Sequence, residues 1–305
     1  MYKLLIHYSP LSILRLFNRS LLICILIFSS SLSASTSSIF KIDSLEEIST
    51  SFPNDSLILF DIDETLIDSP HMLGSKAWRS YMSQLSKSSD QNWHDIFSLY
   101  LSQKYPYITV EPITSEYVHQ LQMQGHVVCG LTARERHSWY DTPNVDVDLL
   151  TIRQLKSVGI SFDTDILSQK YPILAKKREF FSGVFFADTD LKGDYLRKVF
   201  GNDVQCSEMA KMVVFIDDKL KQVQSVDAFL EEKQIDHICY WYCATDSKAD
   251  KFDPDIANIQ LYFFLSSNGA LVLSDEMARA LQQENSKMLA EDYLKAIFEF
   301  PMVAS

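Results

Sequence analysis

Glycine and proline are scarce in this chain, 8 and 9 among 305 residues, which excludes collagen-like, low-complexity and linker-dominated architectures. Cysteine is scarce as well, and 5 thiols in 305 residues do not make a disulfide scaffold. Basic residues are outnumbered, 28 Lys and Arg against 40 Asp and Glu, for a formal charge of −12. A surface of that sign repels phosphate backbones and argues against nucleic acid as the partner. What is present is an ordinary apolar fraction, enough for one large α/β domain or two small ones.

Residues 1–34 read apart from the rest. They carry Lys3, Arg15 and Arg19 and no acidic residue, then the apolar core Leu21–Phe28, then small residues from Ser29 to Ser38. This is the layout of a secretory signal peptide, with cleavage expected between Ser33 and Ser35. An uncleaved anchor is the alternative, but the apolar core falls short of the roughly 20 residues that span a bilayer. The expectation is therefore a periplasmic or secreted protein, residues 35–305, with no stable membrane span. Cys129, Cys206, Cys239 and Cys243 remain. Cys239 and Cys243 would lie about 13 Å apart on one strand. A disulfide needs Cα atoms within roughly 7 Å, so that pair forms only if the chain turns between them.

Past that leader, buried strands alternate with helical periodicity. Ile39 to Ile48 suggests a short amphipathic helix. Leu57–Asp61, Val127–Leu131 and Met212–Ile216 are short continuous apolar runs, as expected of parallel strands covered on both faces, and His237–Tyr242 offers a fourth. Trp78 to Tyr107 reads as two helices broken at Ser86–Ser89. Ser115–Gln124 and Leu149–Ser157 read as helices stopped by Gly125 and Gly159. Phe180–Phe186 reads as a hairpin turning at Ser182-Gly183, Lys192–Phe200 as a helix closed by Gly201, and Asp275–Phe298 as a helical tail. The pattern predicts an α/β fold, a doubly wound, mostly parallel sheet with helices on both faces. A small helical cap is inserted at about residues 70–112, and about 246–305 is an extension without assignment.

Chemistry gathers where the runs end. The first stops at Asp61-Ile62-Asp63-Glu64-Thr65, the second at Thr132, the third at Asp217-Asp218. Ligands of open parallel sheets bind at those carboxyl ends. Adjacent buried carboxylates are costly unless a cation or proton is shared between them. A lysine, Lys192, stands at an expected helix start, and Arg134 follows Thr132 by two residues. A carboxylate nucleophile, a hard cation and donors for phosphate oxygens are the parts phosphoryl transfer needs. His71, His126 and His137 have no ligand spacing, and Trp78, Tyr81 and Trp93 read as packing residues.

In order, Asp61-x-Asp63-x-Thr65, Thr132, Lys192 and Asp217-Asp218 resemble the four motifs of the haloacid dehalogenase-like hydrolases, over about residues 55–245. With the leader and Phe60-Asp61-Ile62-Asp63, the chain is similar in style to secreted bacterial acid phosphatases of classes B and C. It departs from them in carrying Leu131-Thr132-Ala133-Arg134 where they usually have Ser-Asn-Arg. The resemblance implies an exported Mg2+-dependent phosphomonoester hydrolase acting on a small phosphorylated substrate. Asp61 would be nucleophile and metal ligand. Asp63 would be the general acid and base, with its main-chain carbonyl on the metal. Thr132, Lys192 and Arg134 would hold phosphate, and Asp217 and Asp218 would complete the metal shell. Alternatives are a phosphoprotein phosphatase, or a non-catalytic secreted interaction protein on the same scaffold.

Overall fold

The computed structural model describes residues 39–89, 91–136, 146–188, 190–200, 210–284 and 290–300. The leader expected at 1–34, His137, Gly201 and Cys206 lie outside them.

The strands are β1 (Ile39–Ile42), β2 (Leu57–Phe60), β3 (Ile67–Asp68), β4 (Ile108–Thr109), β5 (Val127–Thr132), β6 (Phe180–Phe181), β7 (Val184–Phe186), β8 (Val213–Asp217) and β9 (His237–Tyr242). The helices that matter below are α1 (Lys76–Lys87), α2 (Trp93–Lys104), α3 (Thr114–Met123), α4 (Val147–Ser157), α5 (Thr164–Lys170), α6 (Pro172–Ala175), α7 (Lys192–Phe200), α8 (Leu220–Glu232), α9 (Asp246–Ala249), α10 (Pro254–Ser266), α11 (Asp275–Glu284) and α12 (Ala290–Phe298). Seven strands form one sheet in the order β1-β9-β8-β2-β5-β7-β6, parallel except for β6. The fold is α/β and doubly wound.

The period-two rule explains why the central strands are apolar throughout. Leu57 and Leu59 point to one face, where they pack with Val213, Phe215 and Cys239 beneath Val223, Val226 and Phe229 of α8 and Leu196 and Val199 of α7. Ile58 and Phe60 point to the other, against Val214, Ile216, Val128, Tyr117 and Leu121 of α3, and Leu155 of α4. Both faces are thus buried, and no position on β2, β5 or β8 is left for a polar side chain until the strands end.

Ile39–Ile42 is a strand rather than the expected helix start. Its Cα partners run from Ile39–Cys239 to Ile42–Tyr242, so docking beside β9 decides its conformation. A single 3-10 turn, Leu45–Glu47, follows it and is closed by a capping box between Ser44 and Glu47. The Ser182-Gly183 hairpin adopts positive φ at both turn residues, 47° and 88°, as a two-residue turn joining right-twisted strands requires. No turn brings Cys239 to Cys243; β9 continues to Tyr242, and both thiols are free and buried.

A third core lies off the sheet. Trp78, Met82, Phe97 and Leu101 of α1 and α2 pack against Ile256, Phe264 and Leu265 of α10, Ala278 of α11 and Ile297 of α12. The C-terminal segment and the 70–112 insertion therefore make one helical layer. Trp78 is buried within it, and Trp93 stacks on Phe97 and Phe298, so both are packing residues. Among the described residues, no helix is long and apolar enough to cross a membrane.

Candidate active site

From β2 the chain builds outward to β5 and β7 on one side, then returns to β8 and β9 on the other, where β1, formed before β2, flanks β9. The crevice where a parallel sheet reverses its strand order is its natural binding site. Here it lies at the carboxyl ends of β8, β2 and β5. Phe60 pairs with Ile216, so Asp61 and Asp217 stand level, and the ladder continues through Asp61 N–H to the Ile216 carbonyl at 2.9 Å.

Asp61, Asp217 and Asp218 are all buried, and a carboxylate oxygen from each lies within 4.8 Å of the other two. Lys192, the first residue of α7 and 1 % exposed, places Nζ 2.5 Å from Asp61 Oδ1 and 2.5 Å from Asp217 Oδ2. Its backbone is fixed by Gln222 of α8, whose Oε1 accepts from Lys192 N–H at 2.8 Å. Gly193 follows for a steric reason. A Cβ there would overlap the main-chain carbonyl of Ser225, so only glycine lets α7 lie this close to α8.

Lys76, at the start of α1, donates to Asp218 Oδ2 at 2.6 Å. Three carboxylates thus face the ammonium groups of Lys192 and Lys76, with Lys219 adding a positive charge from the rim. Burial pushes the Asp61 carboxyl up to about 7, with Lys192 opposing and the charges of Asp217 and Asp218 adding to the rise. Asp217 is raised for the same reasons. Burial works against the Lys192 ammonium, but Asp217 and Asp61 outweigh it and hold the proton on.

Those residues fit a divalent cation. Asp218 Oδ1 is buried and has no hydrogen-bond partner among the described residues, and the cluster offers hard oxygen donors of the kind magnesium takes. Asp61, Asp217 and Asp218 are the side chains that could hold it. Asp63 faces away from that cluster toward Arg134.

Arg134 grips Asp63 with both arms of its fork, Nε to Oδ2 at 2.8 Å and Nη2 to Oδ1 at 2.7 Å. Its Nη1 donates to Thr151 Oγ1 at 2.9 Å and Gln154 Oε1 at 2.6 Å, both on α4. Burial would raise the Asp63 carboxyl, but the guanidinium outweighs it and holds the group well below the usual range. Thr132 ends β5, buried; its Oγ1 accepts from Arg134 N–H at 3.2 Å, which leaves its hydroxyl proton to donate. Glu64 closes the turn after Asp63 at φ 61°, and its carboxylate pairs with Arg79 of α1.

Every residue expected from the motif ends thus converges on one crevice, but Arg134 is committed to Asp63 rather than standing open. Three contributors were missed. Lys76 and Arg79 carry no sequence signal beyond their place in a helix near an N-cap serine. Lys219 directly follows Asp218, and that adjacency is a usable signal. Burial opposes its charge, but Asp61, Asp218 and Asp63 outweigh that and raise its pKa, while its side chain stays open to solvent.

A family model described as "Protein of unknown function (DUF2608)" matches residues 41–279, which takes in the sheet, the crevice and the helical layer as far as α11. No curated protein and no solved structure matches the chain.

Proposed function

The chain belongs to that family, and we propose from its site alone that it is a Mg2+-dependent phosphomonoester hydrolase of the haloacid dehalogenase-like kind, working through an aspartyl-phosphate. One observation carries the reading. Four segments far apart in sequence, at Asp61, Thr132, Lys192 and Asp217-Asp218, meet at the ends of three adjacent strands, with a buried ammonium clamped between two of three clustered carboxylates.

Each side chain has work suited to its place. Lys192 holds Asp61 by Oδ1, and Oδ2 makes no hydrogen bond among the described residues, so Oδ2 is the atom left to attack phosphorus. As that bond forms, the bond from phosphorus to the leaving oxygen breaks, and the leaving oxygen takes a proton from Asp63. Water then attacks the phosphorus of the acyl phosphate, gives its proton back to Asp63, and Asp61 departs as a carboxylate. A magnesium ion held by Asp61, Asp217 and Asp218 would offset the charge of the phosphoryl oxygens. Lys192 Nζ touches the nucleophile, Thr132 Oγ1 keeps a hydroxyl proton to donate at the end of the neighbouring strand β5, and Lys219 supplies a further positive charge at the rim.

Asp63 must leave its ion pair and take up a proton from solvent before it can serve as an acid. Arg134 is the group a phosphate would compete for, so substrate binding and release of Asp63 are two sides of one exchange. Export, inferred from residues 1–34, puts the reaction outside the cytoplasm. The test uses purified protein on a generic aryl phosphate. Activity should require Mg2+, vanish with chelator, and fall by at least about 1,000-fold in Asp61→Asn with the fold unchanged by circular dichroism. Near-full activity in Asp61→Asn, or indifference to chelator, would refute the reading.

A further inference from the structure

The amino end of β9 carries a second group of metal-binding side chains. His237 and Cys239 are two residues apart on one strand and so share the face covered by α8, which contributes Asp227. One ligand atom from each lies within 4.8 Å of the other two. His237 pairs with Val213 at the start of β8, and Trp241 pairs with Asp217 at its end, so the two groups sit about 13 Å apart along the sheet.

Each donor is prepared for coordination. Nδ1 of His237 lies 2.7 Å from the Ile235 carbonyl, the second-shell bond that fixes a metal-bound histidine with Nε2 toward the ion. Nε2 then faces Asp227 Oδ1 at 3.1 Å. At that distance either an imidazolium donates to the carboxylate or a cation sits between the two atoms, and Cys239 beside them is the third donor that a cation would use. Its thiol is fully buried and makes no hydrogen bond among the described residues, yet it points into the same space. A pair of acceptors with a third, soft donor is a set that suits zinc rather than magnesium. Tetrahedral zinc separates its ligand atoms by roughly 3.4–3.6 Å, so small side-chain shifts close the site.

We propose that Asp227, His237 and Cys239 bind one zinc-class divalent ion that clamps α8 to β9, with the fourth position open to water on the Asp227 side. Binding breaks the Cys239 S–H bond, forms a metal–thiolate bond and releases the proton to solvent. The clamp steadies the helix that starts immediately after Asp217-Asp218-Lys219. The proposal is independent of the hydrolase reading.

The test titrates untagged, chelator-stripped protein with Co2+ and then with Zn2+. One equivalent of cobalt should give the intense near-ultraviolet thiolate-to-metal band, zinc should bleach it with Kd below about 1 μM, and zinc should raise the melting temperature. His237→Gln and Cys239→Ser should each weaken zinc by at least about 100-fold. Asp61→Asn/Asp217→Asn should leave the band intact. If Cys239→Ser does not fold, His237→Gln gives the same reading from a side chain nearer the surface. Absence of the thiolate band, zinc affinity unchanged in His237→Gln, or loss of binding in the Asp61/Asp217 variant would each overturn the proposal, leaving a plain His237–Asp227 ion pair.

Discussion

Replacing Lys192 by methionine removes the ammonium between Asp61 and Asp217 while nearly conserving volume, and leaves two carboxylates buried without their counter-ion. Breaking a buried pair by deleting one partner costs about 3–5 kcal/mol. That is a large share of the roughly 5–15 kcal/mol that holds a domain together. With a urea m-value of about 3 kcal/mol/M, the midpoint should fall by about 1–1.7 M. The loss should also depend on pH. Without Lys192, both carboxyls titrate further above their unfolded values than they already do. The folded state then binds protons that the unfolded state has released, so stability falls as pH rises from about 4 toward 8. If Mg2+ occupies the cluster as proposed, it replaces the missing charge and should return about 2.7 kcal/mol at 100 times its Kd. Urea unfolding in chelator and in Mg2+, at pH 5.5 and pH 8, reads all three effects. Adding Asp61→Asn to Lys192→Met should recover part of the loss, a non-additivity expected only of groups in contact. A Lys192→Met protein within 1 kcal/mol of the parent at pH 8 in chelator would show that Lys192 is not the counter-ion of this cluster, and the cation site would fall with it.

Gly193→Ala should lose about 2–3 kcal/mol in urea despite the gain in helix propensity, because its Cβ overlaps the Ser225 carbonyl; a stabilised variant would contradict the close approach of α7 and α8. Phe264→Ala should cost about 3–5 kcal/mol and lower a single unfolding transition, since Phe264 is fully buried against Tyr100 and Tyr105; two separate transitions would show that the C-terminal helices fold apart from α1 and α2. Magnesium bound as proposed would displace a proton from Asp61, whose carboxyl is pushed up to about 7 when no cation is bound. Affinity by calorimetry should accordingly weaken by about tenfold per pH unit below 7, and affinity flat between pH 5.5 and 8 would exclude Asp61 as a ligand.

The central strands were legible in sequence because burial on both faces leaves no choice of residue type. Leu57–Phe60 and Val213–Ile216 are apolar at every position, so the first carboxylate after each run marks a strand end. Asp61, Thr132 and Asp217 were found for that reason, each being the polar residue that stops an apolar run, whereas Lys192 was read from its place at a helix start. Edge elements gave no such signal. Ile39-Phe40-Lys41-Ile42 has its two isoleucines three apart around an exposed Phe40 and Lys41, a spacing that suits a helix turn as well as a strand, and a partner some 200 residues away selects the strand. Helix α10 is apolar nearly all round, with no face to read, and its place at the centre of a separate core is decided by packing. The commitment of Arg134 was invisible because Asp63, Thr151 and Gln154 are ordinary polar residues 71, 17 and 20 positions away.

The helical layer is joined to the sheet by three covalent connections rather than one. Residues 69–107 leave and return through the β3–β4 ribbon, and residues 246–300 arrive from β9. Lys248 to Asp68, Gln260 to Leu73 N–H and Asp275 to Met72 N–H cross-brace those routes beside the site. A flap on a single stalk swings about one axis, whereas a trestle on three footings cannot tilt without unseating at least one of them. On the hydrolase reading proposed above, a substrate would reach Asp61 as side chains part at the rim, Arg134 from Asp63 and Lys76 from Asp218. The gap those side chains can open sets the size of what enters.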